Sequence, residues 1–399
     1  MSKDAKNVPT LRFRGYSDAW EKRKLGELAN IRRGASPRPI KNKKWFSQTS
    51  QVGWIRISDV TEQNGRIHQV EQYLSDAGQK KTLVLKSKHL LLSIAATVGK
   101  PVQNYIQVGV HDGFIVFMDP KFDLDFMFYF LEKYRPNWAR FGQPGSQINI
   151  NSELVRDLVV SIPTVHEQVA VAQFIITLDN LIAATQDKID ALEQAKKALL
   201  QHLFDQSWRF KGYSDPWEKR KLGSLIEKRG QKNENLDFSS SAVLSAASIK
   251  PNPPVKKSSD QYMKTYNIFL KGDLVFEGHT SKQYLFGRFV FNDFRNGIVS
   301  HVFDVYRFKV LVDNDFAKRF FHSEHIMQKP LLNSVSNARM LNSLNSRELY
   351  KQEIRMPGLS EQKQIGKILK QVDNLIAATQ SILSSLELLK KALLQDLFI

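Results

Sequence analysis

Two long stretches of this chain share one hydrophobic rhythm. In VHEQVAVAQFIITLDNLIAATQDKIDALEQAKKALLQHLF (165–204), alternating steps of four and three pick out Val171, Ile175, Leu178, Ile182, Thr185, Ile189, Leu192, Lys196, Leu199 and Leu203. In LSEQKQIGKILKQVDNLIAATQSILSSLELLKKALLQDLF (359–398), 194 positions later, the same steps pick out Ile365, Leu369, Val372, Ile376, Thr379, Leu383, Leu386, Lys390, Leu393 and Leu397. A seam sustained over about four to five heptads predicts helices that pair lengthwise. Forty residues at a rise of 1.5 Å give a rod of about 60 Å. Threonine and lysine interrupt both seams at equivalent places, which weakens pairing but fixes its register. The natural partner of one helix is therefore the other, and an antiparallel pair would act as a spacer. Pro163 and Pro357 end the strand-like runs VVSIP and EIRMP just before each helix.

A second repeat lies upstream of each variable region. RFRGYSDAWEKRKLGEL (12–28) returns as RFKGYSDPWEKRKLGSL (209–225). Asp18 and Asp215, each followed by Trp-Glu, predict a capping-box-like helix start, with Pro216 at the first helical position. Trp20 and Trp217 are expected to anchor this segment in the core. The regions between the repeats, about 29–160 and 226–354, mix short β-like runs (WIRISDV, LLLSIAATVG, FIVFMD; DLVFEG, FGRFVF, HVFDVYRF) with one helical stretch each, LDFMFYFLEKYR and DFAKRFFHSEHI. The expected class is α+β: two mixed α/β domains separated by two long helices in an antiparallel coiled coil. The expected boundaries are 1–160, 161–206 (first helix), 207–355 and 356–399 (second helix). The order also suggests a cyclic, pseudo-twofold arrangement, in which the first opening repeat packs on the second helix as the second repeat packs on the first.

Charge narrows the partners. The 399 residues hold 58 Lys+Arg against 40 Asp+Glu, a net charge of +18, which favours polyanions, nucleic acid before an anionic membrane. Apolar residues make up 42% and aromatics 11%, enough for real cores. With no cysteine, disulfides, thiolate catalysis and Cys-ligated metals are excluded. The start MSKDAKNVPT lacks an apolar core of signal-peptide length, and the longest apolar stretches, such as VLKSKHLLLSIAATVG, are broken by charges. A cytoplasmic location is expected, with no membrane partner. No Walker sequence is present, and no metal-ligand spacing is recognisable. Asn252-Pro253-Pro254-Val255 imitates an adenine-methyltransferase motif but lacks its aromatic residue and any Gly-rich cofactor turn, so it reads as a loop. A non-catalytic binding protein is expected, with a stand-alone DNA-binding coiled-coil scaffold or repressor as the alternative and an enzyme of unusual motif as the third reading.

The GYSDxWEKRKLG openings, the EQ…LDNLIAATQ…KKALLQ helices, and the phrases WIRISDV (54–60), LLSIAATVGKP (91–101) and GSQININ (145–151) resemble the DNA-specificity (S) subunit of type I restriction–modification systems. The resemblance covers nearly the whole chain. The second variable region departs from it, with NARMLNSLN (337–345) in place of GSQININ. The resemblance implies two target-recognition domains, each reading half of a bipartite, asymmetric sequence in double-stranded DNA. It implies helices that set the gap and dock two modification subunits, and motor–nuclease subunits that join in the restriction form. The modification subunits, not this chain, would hold S-adenosylmethionine and methylate adenine N6.

Base readers are Arg, Lys and small polar side chains on positioned loops. In the first region the candidates are the basic loop Arg32, Arg33, Arg38, Lys41, Lys43 and Lys44, which equally fits a solvated charge run. They continue with Arg56, Ser58 and Asp59 after a strand, and Ser93, Thr97 and Lys100 around a Gly-ended loop suited to phosphate. An amide-rich loop, Gln143, Ser146, Gln147 and Asn149, completes them. In the second region they are Lys228, Arg229, Lys232 and Asn233, then His279, Thr280, Ser281, Lys282 and Gln283, and finally Ser336, Asn337, Arg339 and Asn342. His279 fits a surface histidine better than a catalytic one.

Overall fold

The apolar runs of the first region become a five-stranded sheet in the order Asn30–Arg33, Phe114–Met118, Leu90–Ser93, Pro101–Asn104, Arg66–Ile67. A three-stranded sheet, Gly53–Trp54, Val108–Val110 and Leu83–Leu85, lies beside it in the fold order. The computed structural model describes residues 7–94, 96–141, 150–252, 260–336 and 342–399. The chain falls into two compact units, residues 1–186 with 381–399, and residues 187–380. Each long helix, Val165–Phe204 and Leu359–Asp396, is divided between them at the same point of the repeat, after DNLIAATQ.

In the second unit the corresponding sheet has four strands, Ile226–Lys228, Val305–Phe308, Leu274–Glu277 and Arg288–Phe291, with the pair Asn267–Phe269 and Gly297–Val299 beside it in the fold order. A helix caps the core of each unit. In the first, Asp123 accepts a hydrogen bond from the Phe126 amide at 2.8 Å and starts Leu124–Tyr134, whose residues Phe126 through Leu131 are all buried. In the second, Asp313 does the same for Phe316 at 2.9 Å. There the single helical stretch expected from DFAKRFFHSEHI is two helices, Asn314–Phe320 and Glu324–Leu332. WIRISDV likewise divides. Only Gly53–Trp54 is a strand, and Ile57–Glu62 is a helix because Asp59 accepts from the Arg56 amide at 2.7 Å.

The opening repeats correct the expected helix start. Glu21–Lys24 is a strand, paired antiparallel with Val159–Ile162, and Glu218–Lys221 pairs likewise with Glu353–Met356. A charged tetrapeptide becomes a strand because the ladder partner arrives from the far end of the domain. A one-turn helix, Leu25–Leu28 or Leu222–Leu225, follows. The tryptophans are buried as expected, Trp20 at 2% and Trp217 at 4% exposure.

The duplicated Glu-Gln at the start of each long helix explains this burial. Glu167 takes a bidentate grip from Arg12 (2.7 and 2.8 Å) and a bond from the Trp20 indole at 3.3 Å. Glu361 takes the same from Arg209 (2.7 and 3.0 Å) and Trp217 (3.1 Å). Carboxylates this buried persist only when both oxygens are paired. The bond to Glu167 holds the Arg12 guanidinium above its ordinary range against the opposing pull of burial. Gln168 accepts from the Asp123 amide (2.8 Å) and donates to the Pro163 carbonyl (2.9 Å); Gln362 does so with Asp313 (3.1 Å) and Pro357 (2.9 Å). Each opening repeat is thus fastened to the long helix that begins within its own unit. The residue just before each repeat touches the other helix: the Leu11 amide donates to the Asp396 carbonyl at 2.9 Å, and Trp208 stacks on His202 at 4.4 Å.

Every seam position is buried or half-buried, including Ile175, Leu178, Ile182, Ile189, Leu192, Leu199, Leu369, Val372, Ile376, Leu383, Leu386 and Leu393. The polar interruptions are satisfied. Thr185 and Thr379 donate to the carbonyls of Leu181 and Leu375, both at 2.7 Å. Lys390 meets Asp179 at 2.5 Å in the first unit, and Lys196 meets Asp373 at 2.6 Å in the second. The same aspartates bind the capping helices, through the Tyr129 hydroxyl (2.6 Å) and through Arg319. One expectation needs correcting: by length and composition Val165–Phe204 is apolar enough to span a membrane, although a third of its most apolar window (33%) is buried inside the protein. Seam residues supply part of that apolarity, and Phe174 and Leu181, off the seam and exposed, add to it; Val171, Ala172, Ile175 and Leu178 join the first core.

Candidate nucleic-acid interface

Parallel pairing builds one cleft in each unit at the same place on the scaffold. Trp54 pairs with Gly109, and Val243 pairs with Ile298, both in parallel. The chain then turns identically: the Phe114 amide donates to the His111 carbonyl (3.1 Å), and Phe303 to Ser300 (3.0 Å). Trp54, His111 and Phe114 in the first unit therefore correspond to Val243, Ser300 and Phe303 in the second. All of them line the two clefts, of about 510 and 440 Å³.

The linings differ. In the first cleft, Lys41, Lys43 and Arg56 surround an apolar wall of Ile40, Phe46, Trp54, Ile57 and Phe114, with Gln72 and His111 between. Arg56 is held by Asp59 (3.3 Å) and Glu71 (2.7 Å), so its fork is aimed rather than mobile. Burial lowers the His111 pKa, so the imidazole stands neutral at pH 7. Asp112, pushed up by burial but pulled further down by Ser36, His111 and Arg38, stays ionised and fixes the loop through Ser36 (2.8 Å) and Arg38 (2.7 Å). The second cleft offers Ser245, Asn252, Tyr266 and Ser300, with Glu277 and His279 bonded to each other at one side. A cationic fork has the hydrogen-bonding pattern that suits guanine O6/N7, and amides or hydroxyls the pattern that suits adenine and mixed edges, so the two linings differ in the chemistry they present.

The candidates from sequence scatter over this frame. Lys41, Lys43 and Arg56 come together in the first cleft, and Ser58 is exposed one turn away. Arg32 is exposed, Arg33 donates to the Asp112 carbonyl at 2.8 Å, and Lys44 lies 4.3 Å from the Trp45 ring centre. Lys100 is turned inward: it is 9% exposed, donates to Asn64 at 2.9 Å, and burial lowers its pKa. Gly99 is there for Trp138, whose ring would lie 2.2 Å from an added Cβ, rather than for phosphate. Thr97 donates to Ser93 at 3.2 Å, and Ser93 is fully buried. Gln143, Ser146, Gln147, Asn149, Asn337 and Arg339, with Pro253 to Val255, lie outside the described residues.

In the second unit, Arg229 is committed to Asp273 by two bonds of 2.7 and 2.8 Å and is removed from the surface. Lys228 pairs with Asp304 at 2.6 Å, Lys232 is exposed, and Asn233 is buried with its amide on Phe238 (2.8 Å). His279 lines the cleft, while Thr280, Ser281, Lys282 and Gln283 form an exposed loop beside it. The Asn342 amide donates to the Gly278 carbonyl at 3.0 Å, which brings the paired strands Val335–Ser336 and Ser343–Leu344, with Ser336 exposed, towards that loop; Asn342 itself is buried. Gln72, His111, Phe46, Ser245, Asn252, Tyr266 and Ser300 were not legible as candidates, since the clefts join segments distant in sequence.

A duplicated α+β framework with two unlike clefts at one scaffold position defines a two-headed recognition protein by architecture. The chain belongs to the type I restriction modification DNA specificity domain family, whose pattern it matches over residues 17–194 and 214–388. It is 24% identical over 275 residues to a Methanocaldococcus jannaschii protein named for the specificity subunit of the MjaX type I restriction enzyme. That match covers 62% of this chain and only 60% of the relative. Its fold is similar to that of the type I S subunit from M. genitalium (TM-score 0.57, 14% identity, 98% of this chain and 99% of that one). It is also similar to the HsdS subunit from Thermoanaerobacter tengcongensis (TM-score 0.55, 15% identity, 96% and 98%).

Proposed function

We propose that this chain is the sequence-reading subunit of a type I restriction–modification complex, each unit reading one half of a bipartite, asymmetric DNA target. The observation that carries this reading is the pair of clefts: one backbone, two linings, on units fastened by identical clamps. The fixed gap between half-sites comes from the two long helices as an antiparallel coiled coil with pseudo-twofold symmetry. Support lies inside each unit. Residues 11 and 12 touch the end of one helix and the start of the other, while Asp179, further along the first, meets Lys390, further back on the second. Lys196 and Asp373 repeat this in the second unit. A rod of about 60 Å would space two readers by one to two DNA turns of about 34 Å.

Catalysis belongs to partners in this reading. Two modification subunits dock on the repeated elements and use S-adenosylmethionine to methylate adenine N6; motor–nuclease subunits complete the restriction form, in the cytoplasm. The domains are 1–160 and 207–355, with 161–206 and 356–399 as spacers. The test is genome-wide mapping of N6-methyladenine with and without the gene. One bipartite motif that vanishes on deletion is expected, and no difference in motif would overturn the reading.

A further inference from the structure

The two main sheets end differently. In the first unit Arg66–Ile67 lies alongside Pro101–Asn104, and the Gln103 amide donates to the Gly65 carbonyl at 2.7 Å. In the second unit Arg288–Phe291 is, among the described residues, the last strand of its sheet. Leu90 pairs with Gln103 and Phe117, and Leu274 pairs with Phe291 and Tyr306, so Phe291 is the counterpart of Gln103.

The register fixes where Phe291 points. The Asn292 amide donates inward to the Asp273 carbonyl at 2.8 Å, and bonding alternates along an antiparallel ladder. Phe291 therefore turns both its N–H and its C=O outward, where neither has a partner among the described residues. Backbone groups of a residue only 3% exposed are normally paired. These two lie at a cavity of about 670 Å³ formed wholly within residues 187–380, in the range of roughly 300–1,000 Å³ that small-molecule sites occupy. Phe204, Ile249, Tyr284 and Val290 give it apolar walls. Glu324 stands on the same wall, and one of its carboxyl oxygens is buried with no hydrogen-bond partner among the described residues. Lys196 and Arg319 are taken up by Asp373, and Lys318 by Asp293. Lys197, also at the wall, is exposed and has no ion pair among the described residues.

This edge does not suit another strand. The Phe289 carbonyl, the next outward acceptor, already receives the Nδ1–H of His322 at 2.9 Å, and the Tyr284 hydroxyl holds the other ring nitrogen at 2.9 Å. What remains is one donor beside one acceptor on a single residue. That is the pattern by which an Asn or Gln amide meets adenine N7 and N6. Guanine sets two acceptors at those positions and would leave the Phe291 carbonyl facing an oxygen. We infer that this cavity is a binding site for an adenine nucleotide. The Phe291 backbone reads the base, the apolar walls cover its faces, and Lys197 takes the phosphate. Ala247 lines both this cavity and the second cleft, so an occupant bears on the second reader.

The test titrates the full chain, free of DNA, with adenosine monophosphate, guanosine monophosphate and adenosine by calorimetry. Adenosine monophosphate should bind saturably at one site per chain. Guanosine monophosphate should bind at least about tenfold more weakly, because it forfeits a hydrogen bond and sets two acceptors together. Lys197→Glu should weaken adenosine monophosphate by about tenfold and leave adenosine unchanged. Ser248→Trp adds bulk at an exposed position of the wall and should abolish binding of both adenine compounds. Melting temperature checks that each variant folds. The inference is overturned by the absence of saturable binding, by equal affinity for the two monophosphates, or by an unaltered Lys197→Glu. Undiminished binding by folded Ser248→Trp overturns it too, since the nucleotide then sits elsewhere.

Discussion

The two units differ where they meet solvent at the clefts and agree where they are clamped. Around Glu167 and Glu361 the same arginine and tryptophan recur with bond lengths within a few tenths of an ångström. At the clefts the backbone and one phenylalanine (Phe114, Phe303) recur while the rest of the wall changes: Trp54 becomes Val243, His111 becomes Ser300, and the first cleft's Lys41, Lys43 and Arg56 have no basic counterpart beside the second cleft's Glu277–His279 pair. A buried carboxylate with both oxygens paired tolerates no change, because losing one partner strands a charge in low dielectric. A cleft wall on a fixed sheet can change freely, since hydrogen bonds of the ladder do not involve side chains. One scaffold can thus keep a constant clamp and a variable cleft.

That contrast can be broken at several levels. Glu167→Ala and Glu361→Ala should each cost about 3–5 kcal/mol, because Arg12 or Arg209 is left buried without its counter-charge. Denaturant unfolding of the two variants measures this, and markedly unequal costs would mean that the clamps are not equivalent. Next, Arg56→Ala in the first cleft should cost about 1–3 kcal/mol of specific binding and relax one half of the target. Ser300→Ala in the second should relax only the other half. Methylation maps of the two variants would sink the two-reader picture if both altered the same half.

Asp179→Ala should lower stability by about 1 kcal/mol, since the Asp179–Lys390 pair is part-exposed and its loss also frees the Tyr129 hydroxyl. Asp373→Ala should cost somewhat more, because Arg319 is 9% exposed and loses a charged partner; thermal melts would rank them. The smallest effect belongs to Lys41→Ala with Lys43→Ala. Each phosphate contact removed should flatten the slope of log affinity against log salt by about 0.9 without altering the motif. A changed motif would make these lysines base readers.

Much of the frame was legible because it is local. Heptad steps within one helix fix which residues form the seam, and the burial of Ile175, Leu178, Leu369 and Leu393 follows from spacing alone. The paired repeats disclosed the duplication, and the residues around Trp20 and Trp217 were expected in the core. What escaped depends on partners far along the chain. EKRK reads as a helix start until VVSI, more than a hundred residues later, offers it a ladder. Lys100 and Arg229 look like surface cations until Asn64 and Asp273 arrive beside them.

Taken alone, the sequence determined that there are two copies, where their long helices run, and which faces of those helices are apolar, since these depend on neighbours a few residues apart. Only the tertiary structure decided which cations face outward and where the clefts lie. The reason is that a cleft wall is assembled across strands: Trp54 and His111, or Val243 and Ser300, become neighbours through pairing that no local pattern encodes.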